Sequence, residues 1–553
     1  LQLKQGKLVW SLLGVGCAAV MADKAKARLR LSRAKHRSLT GHVRMGKRIA
    51  GLVPNYALGP DEFFRADEAP LAIAGKRRAA FEKLAALYET KFAKTRAYTA
   101  EIRDGLPDLQ FTSTYRVPFP FSPIVRERLG AGSFYQSAEG VSLTDLDGNR
   151  FHDLTGSYGV NLLGVDVYRR MVEQGIATTA DLGPTLAGLH PVVADNVRRL
   201  QAISGLDAVS FHMSGTEAVM QAVRLARYHT GRSHLVRFAG AYHGWWGDVQ
   251  PGVGNPVPAD GTYTLADMSD ASLEVLATRK NIACVLVNPL QAMHPNAGAP
   301  GDSTLMMGRK DARADRDAYA AWLRRLAETC RKAGIVLIVD EVFTGFRLAP
   351  RGACEYFGIA PDMVTYGKTL GGGLPVGVLC GEAGLMKRFR DDRPADICFA
   401  RGTFNSHPYV MGAMDAFLRH MESEEGRALY QDVDALWNGR AAALNARLEA
   451  KGLPVRVANL GTIWTIWHTG PSRYHWMLQF YLRAHGLALS WVGSGRLIFS
   501  LAYCEQDFAE VADRFVAAAR DMHADGWWWS PEGDARKWLR KGLVREMLRG
   551  LLR

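Results

Sequence analysis

Cysteine is sparse and unpatterned in this chain. Its 553 residues include seven, at positions 17, 284, 330, 354, 380, 398 and 504. An odd, dispersed set argues against a disulfide framework and a structural zinc site, and leaves thiols expected to be buried in a reducing compartment. Long apolar runs are missing too. Residues 8–22, LVWSLLGVGCAAVMA, are too few for a spanning helix, which needs about 20. They follow Lys4 and Lys7 as a signal peptide would, but the crowd of Lys and Arg after them opposes export. The expected reading is an interfacial or partner-binding segment, with a signal or anchor and a locally packed helix as alternatives. Acids are scarce at both ends. Residues 1–48 hold twelve Lys and Arg against Asp23 alone, and residues 526–553 hold seven against three acids. Those are net charges of +11 and +4 in a total of +14, so residues 49–525 sum to −1. No nucleic-acid-reading module accompanies this charge, so no nucleic acid is expected as a partner.

What the chain has is apolar substance and clear punctuation. Apolar residues make up 48%, enough for a globular protein of two or three domains at this length. Residues 335–339, IVLIV, suit a strand buried on both faces of a parallel sheet. Asp340 and Glu341 end that run, which puts a carboxylate at the carboxyl edge of the sheet, where open α/β folds bind ligands. A second apolar segment, residues 363–366, delivers Lys368 to the same edge. Gly371, Gly372 and Gly373 follow, where backbone approaches a ligand closely. One acid and one amine so placed are the parts a pyridoxal phosphate enzyme needs, a carboxylate for the pyridine nitrogen and an amine for a Schiff base. Either residue alone reads as an ordinary surface group.

Two further stretches bear on this. Residues 211–218, FHMSGTEA, read as a strand end turning into a helix, and Ser214, Gly215 and Thr216 offer hydroxyls and free amides at its N-terminus. That is either an anion site or a simple helix cap. Tyr242-His243-Gly244 follows the apolar segment 235–238. The motifs S-G-T-E-A, Y-H-G, D-E-V and K-x-x-G-G-G-L-P-V-G occur in the order and at the spacing of one family. Over roughly residues 116–522 the chain resembles the class III pyridoxal phosphate-dependent aminotransferases, and within them the glutamate-1-semialdehyde 2,1-aminomutase branch.

The resemblance implies a fold-type I α/β enzyme, with a large domain built on a mostly parallel seven-stranded sheet and a smaller C-terminal α+β domain. It implies pyridoxal 5′-phosphate as cofactor, Lys368 and Asp340 as catalytic residues, and a phosphate grip of Ser214, Gly215 and Thr216. Tyr242 and Val342 would cover the two ring faces. His243 would orient its neighbours or simply be packed. Thr403 would reach the phosphate of the neighbouring subunit, so a homodimer is expected. Arg116, Tyr158 and Arg496 are the substrate-binding candidates. Two departures from the family pattern, Asn288 for a usual Glu and Met213 for a usual Asn, put the substrate in doubt rather than the cofactor.

The expected division is a basic N-terminal extension (1–48), an N-terminal helical segment and hairpin (49–150), a large domain (151–400), a small domain (401–525) and a basic amphipathic tail helix (526–553). Residues 70–96 read as one helix with packing or dimer contact as its role. Asp147-Gly148 marks a hairpin. In the tail, a stripe of Trp538, Leu539, Leu543, Val544, Met547, Leu548, Leu551 and Leu552 is set among Lys and Arg. With Trp527, Trp528 and Trp529, it suits contact with an anionic membrane surface, though a helix docked on the body with a solvated basic face has the same pattern. The function expected is amino transfer between a small-molecule amino donor and a carbonyl acceptor. The alternatives are an intramolecular aminomutase reaction and a non-enzymatic scaffold tethered by its ends. The location expected is cytoplasmic, peripheral on the inner face of a membrane.

Overall fold

The computed structural model describes residues 2–552 except 111–116, 131, 133, 259, 291–314, 490–495 and 532, with side chains from residue 18 onward. The chain opens with a long helix, α1 (Gln2–Ala34), and a short one, α2 (Val43–Leu52). The stretch expected as one helix over 70–96 is two, α3 (Leu71–Lys91) and α4 (Ala93–Ile102), with a break at Phe92. The hairpin expected around Asp147-Gly148 joins β2 (Ser142–Asp145) and β3 (Arg150–Asp153), and β1 (Tyr135–Glu139) pairs on the other side of β2. Gly148 has φ of 81°, a left-handed turn position that glycine fills without strain. The Asp147 carboxylate is used locally, accepting the amides of Lys94 and Thr95 at 2.7 and 2.9 Å to cap α4.

The large domain is built on seven strands: β4 (Ala208–His212), β5 (His234–Phe238), β6 (Thr262–Leu265), β7 (Ile282–Val287), β8 (Val336–Asp340), β9 (Met363–Gly367) and β10 (Gly377–Gly381). Their spatial order is β4-β10-β9-β8-β7-β5-β6; only β10 runs antiparallel to its neighbours. β7, β8 and β9 are buried at every position, which is why their sequences are unbroken apolar runs rather than alternating ones. Helix α5 (Gly215–Thr230) covers one face, while α6 (Asp270–Thr278) and α7 (Arg316–Ala333) cover the other. A short helix, α8 (Ala353–Phe357), follows β8.

The end of α1 is stitched to the outermost strand of this sheet. Lys35 bridges Leu265, the Ala266 amide donates to Ala34 O at 2.9 Å, and Arg30 pairs with Glu274 at 2.7 Å. Beyond the sheet come a two-stranded ribbon, β11 (Phe389–Arg390) with β12 (Arg393–Ile397), and the small domain. There α9 (Val433–Ala450) and α10 (Glu505–Ala524) pack on an antiparallel sheet of β13 (Val455–Leu460), β14 (Ile463–His468) and β16 (Arg496–Ile498). β15 (Leu487–Ala488) leaves that domain to pair in parallel with β3. One core accordingly runs through both chain segments, with Phe63, Phe81 and Tyr88 of the N-terminal part packed among Trp464, Phe515 and Trp527.

The tail helix, α11 (Ala535–Leu552), lies on the body. Its single acid, Glu546, accepts from Arg473 Nη2 at 3.0 Å and Tyr56 OH at 2.8 Å, and Arg545 pairs with Glu68 at 3.0 Å. Two of the three tryptophans expected at an interface are core residues: Trp527 donates to Tyr481 Oη at 2.8 Å and Trp528 to His475 Nδ1 at 3.1 Å. Cys284, Cys330, Cys380 and Cys398 are buried as expected, while Cys504 is exposed. Among the described residues no helix is long and apolar enough to cross a membrane.

Candidate active site

The site forms where β8 and β9 leave the sheet side by side. Asp340 ends β8 and is 3% exposed. Its Oδ2 lies 2.8 Å from Nδ1 of the buried His243, and its Oδ1 accepts from the Val342 amide at 3.1 Å and from Thr365 Oγ1 at 3.2 Å. The adjacent Glu341 turns elsewhere. It is fully buried and accepts the amides of Ala353 and Cys354, which caps α8, and burial pushes its pKa up to about 7. Two neighbouring acids therefore have separate duties, Asp340 toward the site and Glu341 toward the fold.

Lys368 follows β9 with φ of 48°, a left-handed conformation costly for any residue but glycine. Its Nζ sits 5.4 Å from the centre of the Phe343 ring. A Cβ on Gly159 would meet that ring at 2.6 Å and Lys368 Cδ at 3.1 Å, so the 156–159 turn closes over the lysine. Burial lowers the pKa of the amine, Asp340 opposes that shift, and Arg347 adds to it. The result is an amine closer to its neutral, nucleophilic form at neutral pH than a surface lysine. Thr369, next in the chain, is hydrogen-bonded to the buried Tyr168 hydroxyl, which fixes the turn.

Helix α5 starts on the same side. Ser214 is its N-cap and accepts the Glu217 amide at 3.2 Å, while Glu217 reaches back to the Met213 amide at 2.9 Å. The first-turn amides of Gly215 and Thr216 have no partner within the helix by geometry. A side chain at Gly215 would collide with Val342, and one at Gly244 would lie 2.5 Å from Thr216 Oγ1. The helix start, Val342 and the Tyr242–Gly244 loop are thus in mutual contact. Tyr242 is 57% exposed, with its phenol pKa raised by burial of its inner part and by Asp340. Asn288, where the family pattern has Glu, donates to Tyr242 O at 3.2 Å and accepts from the Leu290 amide.

The remaining expected residues lie around this centre. Ser157 and Tyr158 have φ of 45° and 56°, and β16 packs behind their turn, where a Cβ on Gly156 would touch Ile498. Arg496, two residues before Ile498, has no acid partner among the described residues, and burial lowers its pKa to about 10. Thr403 is exposed in the turn before helix Pro408–Glu422, and no hydrogen bond among the described residues ties it to Ser214–Thr216. That turn does border a cleft of about 90 Å³ lined by Met213, Pro375, Phe404 and His407. Arg116 lies outside the described residues.

Sequence reading missed Arg347. It is 1% exposed, has no carboxylate partner among the described residues, and donates to Thr462 Oγ1 at 3.1 Å, Phe499 O at 2.9 Å, Gly159 O at 3.0 Å and Asn161 O at 3.3 Å. It pins the turn over Lys368 to the small domain. A lone arginine in the apolar stretch T-G-F-R-L after D-E-V is the signal that could have found it.

Residues 126–248 and 315–518 match the family described as aminotransferase class-III. The chain belongs to the class III aminotransferases. Curated relatives in the family include the glutamate-1-semialdehyde 2,1-aminomutase of Nitratidesulfovibrio vulgaris strain DP4, 31% identical over 423 residues, which are 72% of this chain and 95% of that one. Another, from Desulfotalea psychrophila, is 32% identical over 379 residues, 64% of this chain and 80% of its own. Among solved structures, a transaminase with PLP bound superposes with a TM-score of 0.63 at 25% identity, over 79% of this chain and 99% of that one. An aminomutase of Pseudomonas aeruginosa PAO1 shares the fold at a TM-score of 0.64 and 20% identity, over 81% of this chain and 99% of its own. This class III fold type I architecture, with its seven-stranded sheet, is the one the motifs implied. Both basic ends fall outside the family match.

Proposed function

We propose that the chain is a pyridoxal 5′-phosphate-dependent aminotransferase that moves an amino group between a small-molecule amino donor and a carbonyl acceptor. The carrying observation is the buried carboxylate of Asp340 and the desolvated amine of Lys368 at the ends of adjacent parallel strands. The donor set fits the cofactor. Asp340 has no Lys or Arg ion pair among the described residues, which leaves its charge available to a protonated ring nitrogen. Ser214 and the free amides of Gly215 and Thr216 make an anion seat at a helix N-terminus, suited to a phosphate. Bound there, the cofactor supplies an aldehyde carbon for the amino group and a ring that takes up the electron pair of a broken C–H bond.

The protein's own groups then divide the work. Lys368 Nζ anchors the cofactor and, once free, takes the proton from the substrate carbon and returns it. Asp340 holds the ring nitrogen protonated, and His243 orients Asp340. Tyr242 and Val342 would flank the cofactor and confine it. Arg496, desolvated and without an acid partner among the described residues, takes a substrate carboxylate, with Tyr158 and Arg116 as the other substrate-binding candidates. Thr403 of the partner subunit completes the phosphate seat, which makes the homodimer the working unit. The location is cytoplasmic, with the basic ends seated against the inner face of a membrane.

Borohydride reduction of the holoenzyme followed by peptide mass mapping tests this reading. The expected result is a pyridoxyl phosphate adduct on the peptide containing Lys368. An unmodified Lys368 peptide after saturation with cofactor would overturn it. A second reading, intramolecular amino transfer of the aminomutase type, is favoured by the relative that this chain matches over 95% of its length. It predicts turnover of glutamate-1-semialdehyde with no added keto acid, where an aminotransferase stalls after one half-reaction.

A further inference from the structure

The exposed surface where the two ends of the chain meet has a composition unlike the rest of the molecule. On α2, Met45, Ile49 and Leu52 fall on one helical stripe that continues into Val53, and all four are exposed, Leu52 by 72%. On α11, Val544, Leu548, Leu551 and Leu552 form a second exposed stripe, with Leu552 at 89%. The C-terminal ends of the two helices lie close together: a Cβ on Gly550 would sit 2.9 Å from the Tyr56 ring and 3.1 Å from Pro54, two residues past the end of α2. Chain positions some five hundred residues apart thus bring two exposed apolar stripes to one seam.

Cations frame the patch, and two of them carry an exposed acid partner, Arg44 with Asp260 at 3.4 Å and Arg545 with Glu68 at 3.0 Å, which leaves four without one among the described residues. Arg44 and Arg48 lie beside the α2 stripe, while Arg540, Lys541, Arg545 and Arg549 lie beside or just ahead of the α11 stripe; all six are exposed. Glu546, the one acid of α11, is turned inward onto the buried Arg473. That contact, with Tyr56–Glu546 and Arg545–Glu68, fixes the inner face of α11 to the body. The outward leucines are therefore not waiting to fold back.

We propose that this seam is a docking surface for an anionic lipid bilayer, entered by the leucines of the last two turns of α11 and by Met45 and Leu52 of α2. Nucleic acid would use the cations and gain nothing from the leucines. A bilayer interface uses both, by insertion of apolar side chains to the acyl boundary and attraction of flanking cations to anionic headgroups. This rests on the membrane-seated location given above and is independent of the amino-transfer site.

The test is sedimentation of the full-length holoenzyme with vesicles of phosphatidylcholine, alone or mixed with phosphatidylglycerol. The unmodified chain is expected to sediment only with the anionic vesicles. The triple variant Leu548→Ser, Leu551→Ser, Leu552→Ser keeps every charge and is expected to lose binding by about tenfold or more, since each leucine contributes buried apolar area. The variant Met45→Ser, Leu52→Ser checks the α2 half. Both should keep the cofactor absorbance of the parent, which separates failure of this proposal from failure of the enzyme reading. Equal vesicle binding by the triple variant would reduce the contact to charge alone and overturn the proposal. So would absence of binding, capture by single-stranded RNA in place of vesicles, or a change of oligomeric state in the triple variant that marks the seam as an interface between copies.

Discussion

Asp340 Oδ2 lies 2.8 Å from His243 Nδ1, with both side chains buried, and no other described residue takes the remaining ring nitrogen of His243. The Nδ1–H donates to the carboxylate, which fixes the ring tautomer and holds Asp340 in place. The imidazole is an orienter whose value depends on the acid it touches.

Asp340→Asn is expected to keep the fold and to slow the half-reaction by several kcal/mol of barrier, roughly a thousandfold or more, because the neutral amide no longer supports a charged ring nitrogen. Stopped-flow absorbance with excess amino donor reads this directly. A loss below tenfold would remove Asp340 from the role given to it.

Glu341→Ala, one residue on, is expected to do the reverse. It strips two amide hydrogen bonds from the start of α8 in a buried site and should cost about 2–4 kcal/mol of stability. The urea midpoint measures that cost, and an unchanged midpoint would refute the assignment.

Arg347→Met removes a cation that lowers the Lys368 pKa and unpins the turn over it. The pH–rate profile of the half-reaction should therefore move to higher pH, since the amine then loses its proton later. The slow arm of the profile also has a sign: the rate rises as pH climbs through the lowered amine pKa and levels off beyond it. A profile unmoved by the substitution would limit Arg347 to packing.

The small domain should weaken in acid. His468 and His475 are stacked with ring centres 3.6 Å apart, and burial lowers both pKa values, that of His475 to about 3. The unfolded chain takes up these protons near 6.5, while the folded chain resists well below that, at His475 until about 3. Stability is thus lost as the pH falls through that window, by up to about 1.4 kcal/mol per pH unit for each histidine. Urea midpoints at pH 7 and pH 5 check the slope, and tryptophan fluorescence follows Trp528, which donates to His475.

The centre of this molecule was legible because buried parallel strands announce themselves as unbroken apolar runs. Asp340 and Lys368 stand where such runs stop, and that alone puts them at one sheet edge. The hairpin was legible from Asp147-Gly148, whose geometry is local. What escaped reading is held by contacts between distant segments. The break at Phe92 follows from packing against the small domain rather than from propensity, and β15 joins β3 from more than three hundred residues away. Trp527 and Trp528 looked interfacial in sequence and are core, since a tryptophan cluster has the same letters in either place. Arg347 was hidden because its four acceptors come from three separate segments, around residues 159–161, 462 and 499.

The stitch between Lys35 and Leu265 bears on how the ends of this chain should be handled. β6 is the last strand of the large sheet, and the end of α1 occupies part of the hydrogen-bonding groups it would otherwise offer to another chain. A shortened protein lacking residues 1–48 would bare that row and invite strand-to-strand association. Its precipitation would carry protein into the pellet with or without vesicles and so imitate a lipid contact, and only point changes that leave the stitch in place separate the two.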